Sequence, residues 1–316
     1  VIEALDYLLL FAGFVYLLLG GDLLVRGALA WSRRSAISPL VIGLTVVAFG
    51  TSAPELLVTL YSAVSGYPGV AIGNVVGSNI ANVLLVVGVP ALIQPVISQD
   101  ANMLRQAIFM VAVSLVFVVM CLAGYIGQFD GWLLLGVLAT AAMLTVRGHF
   151  AMPGVAVDQS QLPRVLGMPD TVTTISVFIL LGCALLPLGA DLAVRGAVAV
   201  AANLDVSDAA IGSTFVALGT SLPELSTTVI AAFHRNAEIA LGNVIGSNVL
   251  NILAIMGITG VIVDVPVPES FLEWDIWVML GSSVLLAGYV LLRRPIGRWS
   301  GIGFLAVYAG YYAITL

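Results

Sequence analysis

The stretch Gly50-Thr51-Ser52-Ala53-Pro54-Glu55 returns 169 positions later as Gly219-Thr220-Ser221-Leu222-Pro223-Glu224. The match spreads outward from both hexapeptides. Residues 20–88 and 189–257 align without a gap, with roughly 32 of the 69 positions identical. Upstream, Gly20-Gly21-Asp22-Leu23-Leu24-Val25-Arg26-Gly27 matches Gly189-Ala190-Asp191-Leu192-Ala193-Val194-Arg195-Gly196. Downstream, Gly73-Asn74-Val75-Val76-Gly77-Ser78-Asn79 matches Gly242-Asn243-Val244-Ile245-Gly246-Ser247-Asn248, followed by Asn82 and Asn251. The chain is an internal duplication, and its most polar words are the parts that repeat.

These words are set in an apolar chain. Of 316 residues, 60% are hydrophobic and 9% charged, with a mean hydropathy of +1.12. Soluble domains carry about 25% charged residues, so the side chains for a polar coat are missing. Disorder is excluded by the same composition, and the two cysteines, Cys121 and Cys183, cannot form a disulfide framework. A net charge of −6 without a single lysine argues against nucleic acid as a partner. The runs are too long and continuous for barrel strands. The expected fold is an all-α integral membrane protein with the lipid bilayer as solvent. About ten spans are predicted, at 5–30, 37–64, 69–94, 102–124, 129–147, 171–200, 208–233, 238–263, 272–292 and 298–315. The acidic start lacks the positive region of a signal peptide.

Charge sorts by loop. Arg33, Arg34, Arg105, Arg147, Arg164, Arg235, Arg293, Arg294 and Arg298 fall beside alternate loops on one face. Glu3, Asp6, Asp130, Asp205, Asp208, Asp264, Glu269, Glu273 and Asp275 fall on the other, which has no arginine. The positive-inside rule makes the arginine face cytoplasmic and puts both termini outside. Residues 1–147 and 171–316 are then two five-helix repeats joined by a proline-containing cytoplasmic linker, 148–170. An odd number of crossings inverts the second copy, the plan of secondary transporters with broken helices at the midplane.

Glu55 and Glu224 lie well inside the second and seventh spans, where an ionised carboxylate is costly and by default functional. A structural ion pair with Arg26 or Arg195 is the bland alternative, but those arginines already have Asp22 and Asp191 at i−4. Pro54 and Pro223 each precede a glutamate, and each removes the donor of the carbonyl four residues back, at Gly50 and Gly219. Freed carbonyls in hydrocarbon must be paired, line a water cavity or hold a cation. Asn74, Asn79, Asn243 and Asn248 read as interhelical hydrogen-bond glue within GxxxG segments. Ser78 with Asn82, and Ser247 with Asn251, stand at i and i+4 and share a face, as site ligands would. All candidate ligands are oxygens, the preference of hard cations such as Ca²⁺. The histidines, His149 and His234, read as solvated loop residues, and neither they nor the cysteines accompany the motif serines, so an enzyme is not expected. Facing carboxylates repel; one divalent cation, two monovalent cations or two protons cancel them, and such interchangeable occupancy is what an antiporter requires. A channel with a glutamate-ringed pore fits the inverted symmetry less well.

The paired GTSxPE and GNxxGSN segments resemble the α-repeats of the cation/calcium exchanger superfamily, in its prokaryotic sodium/calcium exchanger branch. The resemblance implies Ca²⁺ export driven by Na⁺ entry, by alternating access at the inner membrane, with no cofactor and no protein partner. It implies that Glu55 and Glu224 bind the central ion with Thr51, Ser52, Thr220 and Ser221. It further nominates the carbonyls of Ala48 and Ala217 and the side chains of Ser78, Asn82, Ser247 and Asn251, and a sliding pair formed by the first and sixth spans. The chain departs from some sodium/calcium exchangers in having asparagine, not aspartate, at position 251, which leaves ion number and potassium dependence open. Exchange of Ca²⁺ for H⁺, or of another hard cation, is the alternative.

Overall fold

The first helix and its repeat copy pack against each other along their whole length, and this pairing reveals how the two halves are related. In the computed structural model, which describes residues 4–35, 37–97, 100, 102–151, 167–202 and 219–315, α1 spans Ala4–Ser35 and α7 spans Val172–Ala202. Leu10 meets Gly196, Gly13 meets Ala193, Leu17 meets Gly189, Gly20 meets Leu186, Leu24 meets Gly182 and Gly27 meets Ile179. One number falls as the other rises, so equivalent helices run antiparallel and the copies are inverted. Glycine makes the seam possible: a Cβ on Gly13 would lie 2.3 Å from the Ala193 nitrogen. Small residues allow such approach between apolar helices.

The other helices follow the repeat. α2 (Pro39–Thr51) and α3 (Ala53–Val64) form one span bent by 48°. α4 (Pro68–Ile93), α5 (Met103–Leu122) and α6 (Gln128–Ala151) complete the first copy. In the second, α8 is Leu222–Phe233, α9 Ala237–Ile262, α10 Glu269–Glu273, α11 Asp275–Leu291 and α12 Arg298–Thr315. Among the described residues, five runs are long and apolar enough to cross a bilayer alone, and the bent α2–α3 makes a sixth. The seventh predicted span begins among residues outside those described, and the ninth is shorter than predicted because Trp274 separates α10 from α11.

The equivalence extends beyond the aligned words. At the same offset, Met110 matches Met279 and Ser114 matches Ser283, and the two serine hydroxyls meet at 3.3 Å. The copies also interlock: Gly131 on α6 packs on Gly257 and Gly260 of α9, and Gly301 on α12 packs on Gly88 of α4. β1 (Tyr125–Ile126) pairs antiparallel with β2 (Val265–Pro266) on one face, and Val96 bridges Ile296 on the other. These contacts bring the α5–α6 connection beside the one that follows α9, and the one that follows α4 beside the α11–α12 connection. The main core lies among α4, α5, α9, α11 and α12, while α1 and α7 belong to a separate apolar cluster that includes Leu24, Leu29 and Leu186.

Symmetry is broken at two helix ends. The first copy ends α3 and α5 with Gly66 and Gly124, at φ +84° and +90°. Their equivalents are Arg235 and Arg293, at φ 55° and 50°, the only non-glycine residues with positive φ among those described. The left-handed conformation costs a side chain about 1–2 kcal/mol. Inversion puts these two loops on the arginine-bearing face. Arg235→Gly is expected to raise stability by about 1 kcal/mol, and Gly66→Ala to lower it by a similar amount, read as opposite shifts of the thermal midpoint in detergent.

Candidate functional site

Both motif helices break at the serine of the hexapeptide. Ser52 (φ −86°, ψ 9°) separates α2 from α3, and Ser221 (φ −87°, ψ 0°) stands in the same place before α8. Pro54 and Pro223 occupy the first turn beyond each break, where a missing N–H costs nothing. Glu55 and Glu224 follow in that turn, both fully buried. Among the described residues no arginine pairs with either glutamate. Arg26 pairs with Asp22 at 2.7 Å and Arg195 with Asp191 at 2.9 Å, as their spacing predicts.

The asparagines hold the broken helices in place. Asn74 Nδ2 donates to the Glu55 carbonyl at 3.1 Å and to Thr59 Oγ1 at 2.8 Å, and its Oδ1 accepts from Thr220 at 3.4 Å. Asn243 repeats the pattern toward the Glu224 carbonyl (3.4 Å) and Thr228 (3.1 Å), and accepts from Thr51 at 3.2 Å. It gains a third acceptor, Thr227 at 3.0 Å, where the first copy has Val58. Asn248 donates to the Asn79 carbonyl (3.3 Å), and the two amides reach Met110 and Met279, each at 3.7 Å. The glue reading holds for all four. Each asparagine at 74 and 243 joins one copy's glutamate helix to the other copy's motif threonine.

Within this frame the oxygens converge. Ser52 donates to Glu224 Oε1 at 2.9 Å, across the repeats, and Ser247 donates to the same atom at 3.4 Å. Both oxygens of Glu55, Oε2 of Glu224, the hydroxyls of Ser78 and Ser221, both amide atoms of Asn82 and Oδ1 of Asn251 are buried without a hydrogen-bond partner. Asn251 donates to Asn79 Oδ1 at 3.1 Å. Asn82 and Asn251 each open a wide π-helical segment, Asn82–Val86 and Asn251–Met256, which the sequence reading missed because i+5 bonding has no periodic signature. The Ala48 carbonyl accepts the Ser52 amide at 3.0 Å and the Thr51 hydroxyl at 3.3 Å. Ala217 lies outside the described residues, as do Asp205, Asp208 and Arg164. Among the described residues no three of His, Cys, Asp and Glu gather in one place, and the acidic groups those residues bring to the site are Glu55 and Glu224.

One functional contact escaped the sequence reading. His234 is not a solvated loop residue: it is 19% exposed and its Nε2 lies 3.0 Å from Asp22 Oδ1. Nearby, Ser226 donates to the Leu17 carbonyl at 2.6 Å. Both contacts tie α1 to α8. Their equivalents, Ser65 and Leu57 on α3, make no such tie to α7; Leu57 and Tyr61 are 68% and 75% exposed, whereas Ser226 is 8% exposed. The copies share one sequence plan but not one packing environment.

Two inverted repeats, broken helices and buried facing carboxylates define a membrane antiporter. A model of the family described as sodium/calcium exchanger protein matches residues 5–146 and 174–316, and the chain belongs to that family. It is 32% identical to the sodium/calcium exchanger MaX1 of Methanosarcina acetivorans over 342 residues, covering 98% of each chain. It is also 32% identical to the inner membrane protein YrbG of Escherichia coli over 320 residues, covering 97% of each. Its structure is similar to that of the sodium-calcium exchanger NCX_Mj, with a TM-score of 0.83, 34% identity and 98% coverage of both chains.

The hydrogen bonds of the frame are testable apart from transport. Asn243→Ala orphans buried hydroxyls at both repeats and should destabilise the protein by about 1–3 kcal/mol. Asn74→Ala, with one hydroxyl fewer to support, should cost less. Thermal unfolding of the detergent-solubilised variants measures the order.

Proposed function

We propose that the chain exchanges Ca²⁺ for Na⁺ across a prokaryotic inner membrane by alternating access. The observation that carries this reading is the pair of buried carboxylates, Glu55 and Glu224, linked across the repeats by Ser52 and paired with no cationic side chain among the described residues. Two negative charges in low dielectric require two positive charges from elsewhere. Ca²⁺ supplies both, and it takes six to eight oxygens in flexible geometry. The unpartnered oxygens of Ser78, Ser221, Asn82 and Asn251 suit that number, as do Thr51, Ser52, Thr220 and Ser247. The Ala48 carbonyl joins them once the Thr51 hydroxyl turns away, and Ala217 is its counterpart in the second copy. Na⁺ ions on the same oxygens neutralise the same carboxylates, so the two loads exclude each other. The names of MaX1 and NCX_Mj, both sodium/calcium exchangers, support this pairing of ions.

The asymmetric packing of α1 and α7 supports alternating access. The pair leans on α8, which runs from the site to the arginine-bearing face, and leaves α3, which runs to the other face, exposed along Leu57 and Tyr61. This arrangement closes the arginine side and opens the other. Because the copies are inverted, exchanging their packing would give the opposite access with the site unmoved. With the arginine face cytoplasmic, both termini are outside and the described conformation faces outward.

Ca²⁺ uptake into proteoliposomes under an outward Na⁺ gradient, against a pH gradient of equal size, tests the coupling. Sodium-driven uptake is expected; uptake driven only by protons would replace Na⁺ with H⁺, and uptake without any gradient coupling would mean a channel. Glu55→Gln and Glu224→Gln should each bring uptake to background while the protein remains folded. A fully active double variant would remove these residues from the site.

A further inference from the structure

The arginine-bearing end of α11 and α12 carries a feature that ion exchange does not use. A groove of about 720 Å³ opens there, lined by Val284 and Gly288 of α11, by Leu292 just past its end, and at its mouth by Arg294 and Ser300. Val284, Gly288 and Leu292 stand at i, i+4 and i+8, one stripe of the helix and its C-cap. They cover about 12 Å along its axis, within one leaflet of a hydrocarbon core about 30 Å thick. Val284 and Leu292 are exposed, and a Cβ on Gly288 would meet nothing within 4 Å. The groove is therefore open and apolar, and the missing side chain of Gly288 helps to open it.

Its mouth is positive. Arg293, Arg294 and Arg298 fall within six residues, and no acidic residue follows Asp275 in the chain. Arg298 donates to the Leu92 carbonyl at 3.3 Å, while Arg294 is exposed and forms no ion pair with a described residue. The Ser300 hydroxyl accepts from Tyr289 at 2.9 Å, which leaves its own hydrogen to donate. Trp299, 84% exposed next to it, suits the depth at which aromatic side chains meet the lipid headgroups.

The first copy supplies a control within the same molecule. At the equivalent positions on the opposite face, Val119 stands for Gly288, Ala123 for Leu292 and Asp130 for Ser300, and Tyr125 follows the left-handed Gly124 where Arg294 follows Arg293. The glycine that opens the groove and the arginine that charges it occur together, in the second copy only. Arg293, held in the left-handed conformation where the first copy has Gly124, adds charge beside it.

We propose that this groove binds one anionic glycerophospholipid from the arginine-side leaflet, with its phosphate on Arg294 and Ser300 and an acyl chain along Gly288. Polybasic positions near a membrane surface contribute about 1 kcal/mol per arginine toward anionic lipids, and the groove adds apolar contact that a free phosphate cannot use. The purified full chain in detergent, given equal amounts of phosphatidylglycerol and phosphatidylcholine, should retain one phosphatidylglycerol in native mass spectrometry. Arg294→Gln, at an exposed position, should weaken retention about fivefold. Gly288→Leu fills the groove and should abolish it, while Val119→Leu at the equivalent position should leave it unchanged. Equal retention of the two lipids, displacement by excess inorganic phosphate, or retention unaffected by both Arg294→Gln and Gly288→Leu would overturn the proposal. Thermal unfolding of the same samples verifies that each variant is folded.

Discussion

Glu55 and Glu224 face each other in a medium that cannot solvate them, and the architecture is arranged around keeping them there. Each sits one residue past a proline, in the first turn of a helix that starts again after a break. That turn offers unpaired N–H groups and the positive end of a helix dipole, the most favourable surroundings a helix gives a carboxylate. The copies must be inverted for two such turns to meet. Had they been parallel, both breaks would open toward the same side and the carboxylates would not share one centre. The antiparallel seam of α1 and α7 is the visible mark of that inversion, and the crossed asparagine bonds are what hold it in register. Thr51 answers to Asn243 and Thr220 to Asn74, so neither copy's site is complete without the other.

An inverted duplication must serve two different environments with one plan, and the departures from symmetry follow from this. Gly66 and Gly124 end their helices at no steric cost, yet Arg235 and Arg293 take the same backbone conformation. The penalty is accepted on the face that carries the arginines and nowhere else among the described residues. The same asymmetry appears in packing. Ser226 and His234 attach α1 to α8, where Leu57 and Ser65 of the first copy make no attachment to α7. A symmetric molecule would have no preferred access. One stable packing of a peripheral helix pair against a fixed core is the element that a load of ions can bias.

Much of this was legible in the residues. The repeat, the inversion through an odd number of spans, the sorting of arginines by face and the pairing of Asp22 with Arg26 all follow from spacing and charge. So does the grouping of Thr51, Ser52 and Glu55, because a proline kink places neighbours in sequence beside each other in space. The glue role of Asn74 and Asn243 was readable as a type, but their partners were not. The same holds for His234, which looks like a loop residue until α1 brings Asp22 to it. The π-helical turns at Asn82 and Asn251 leave no pattern because they alter the ladder by a single residue.

The sequence by itself determined that this is an inverted pair of membrane repeats with two carboxylates it cannot neutralise. These are local and additive properties, set by hydropathy, charge and period. Only the tertiary structure decided that Ser52 serves the glutamate of the other copy, that α1 and α7 lean on α8, and that a groove opens along Gly288 beside Arg294. Those outcomes depend on which surfaces approach within a few ångströms. Two nearly identical stretches are given different neighbours by the fold, and the neighbours determine what each side chain does.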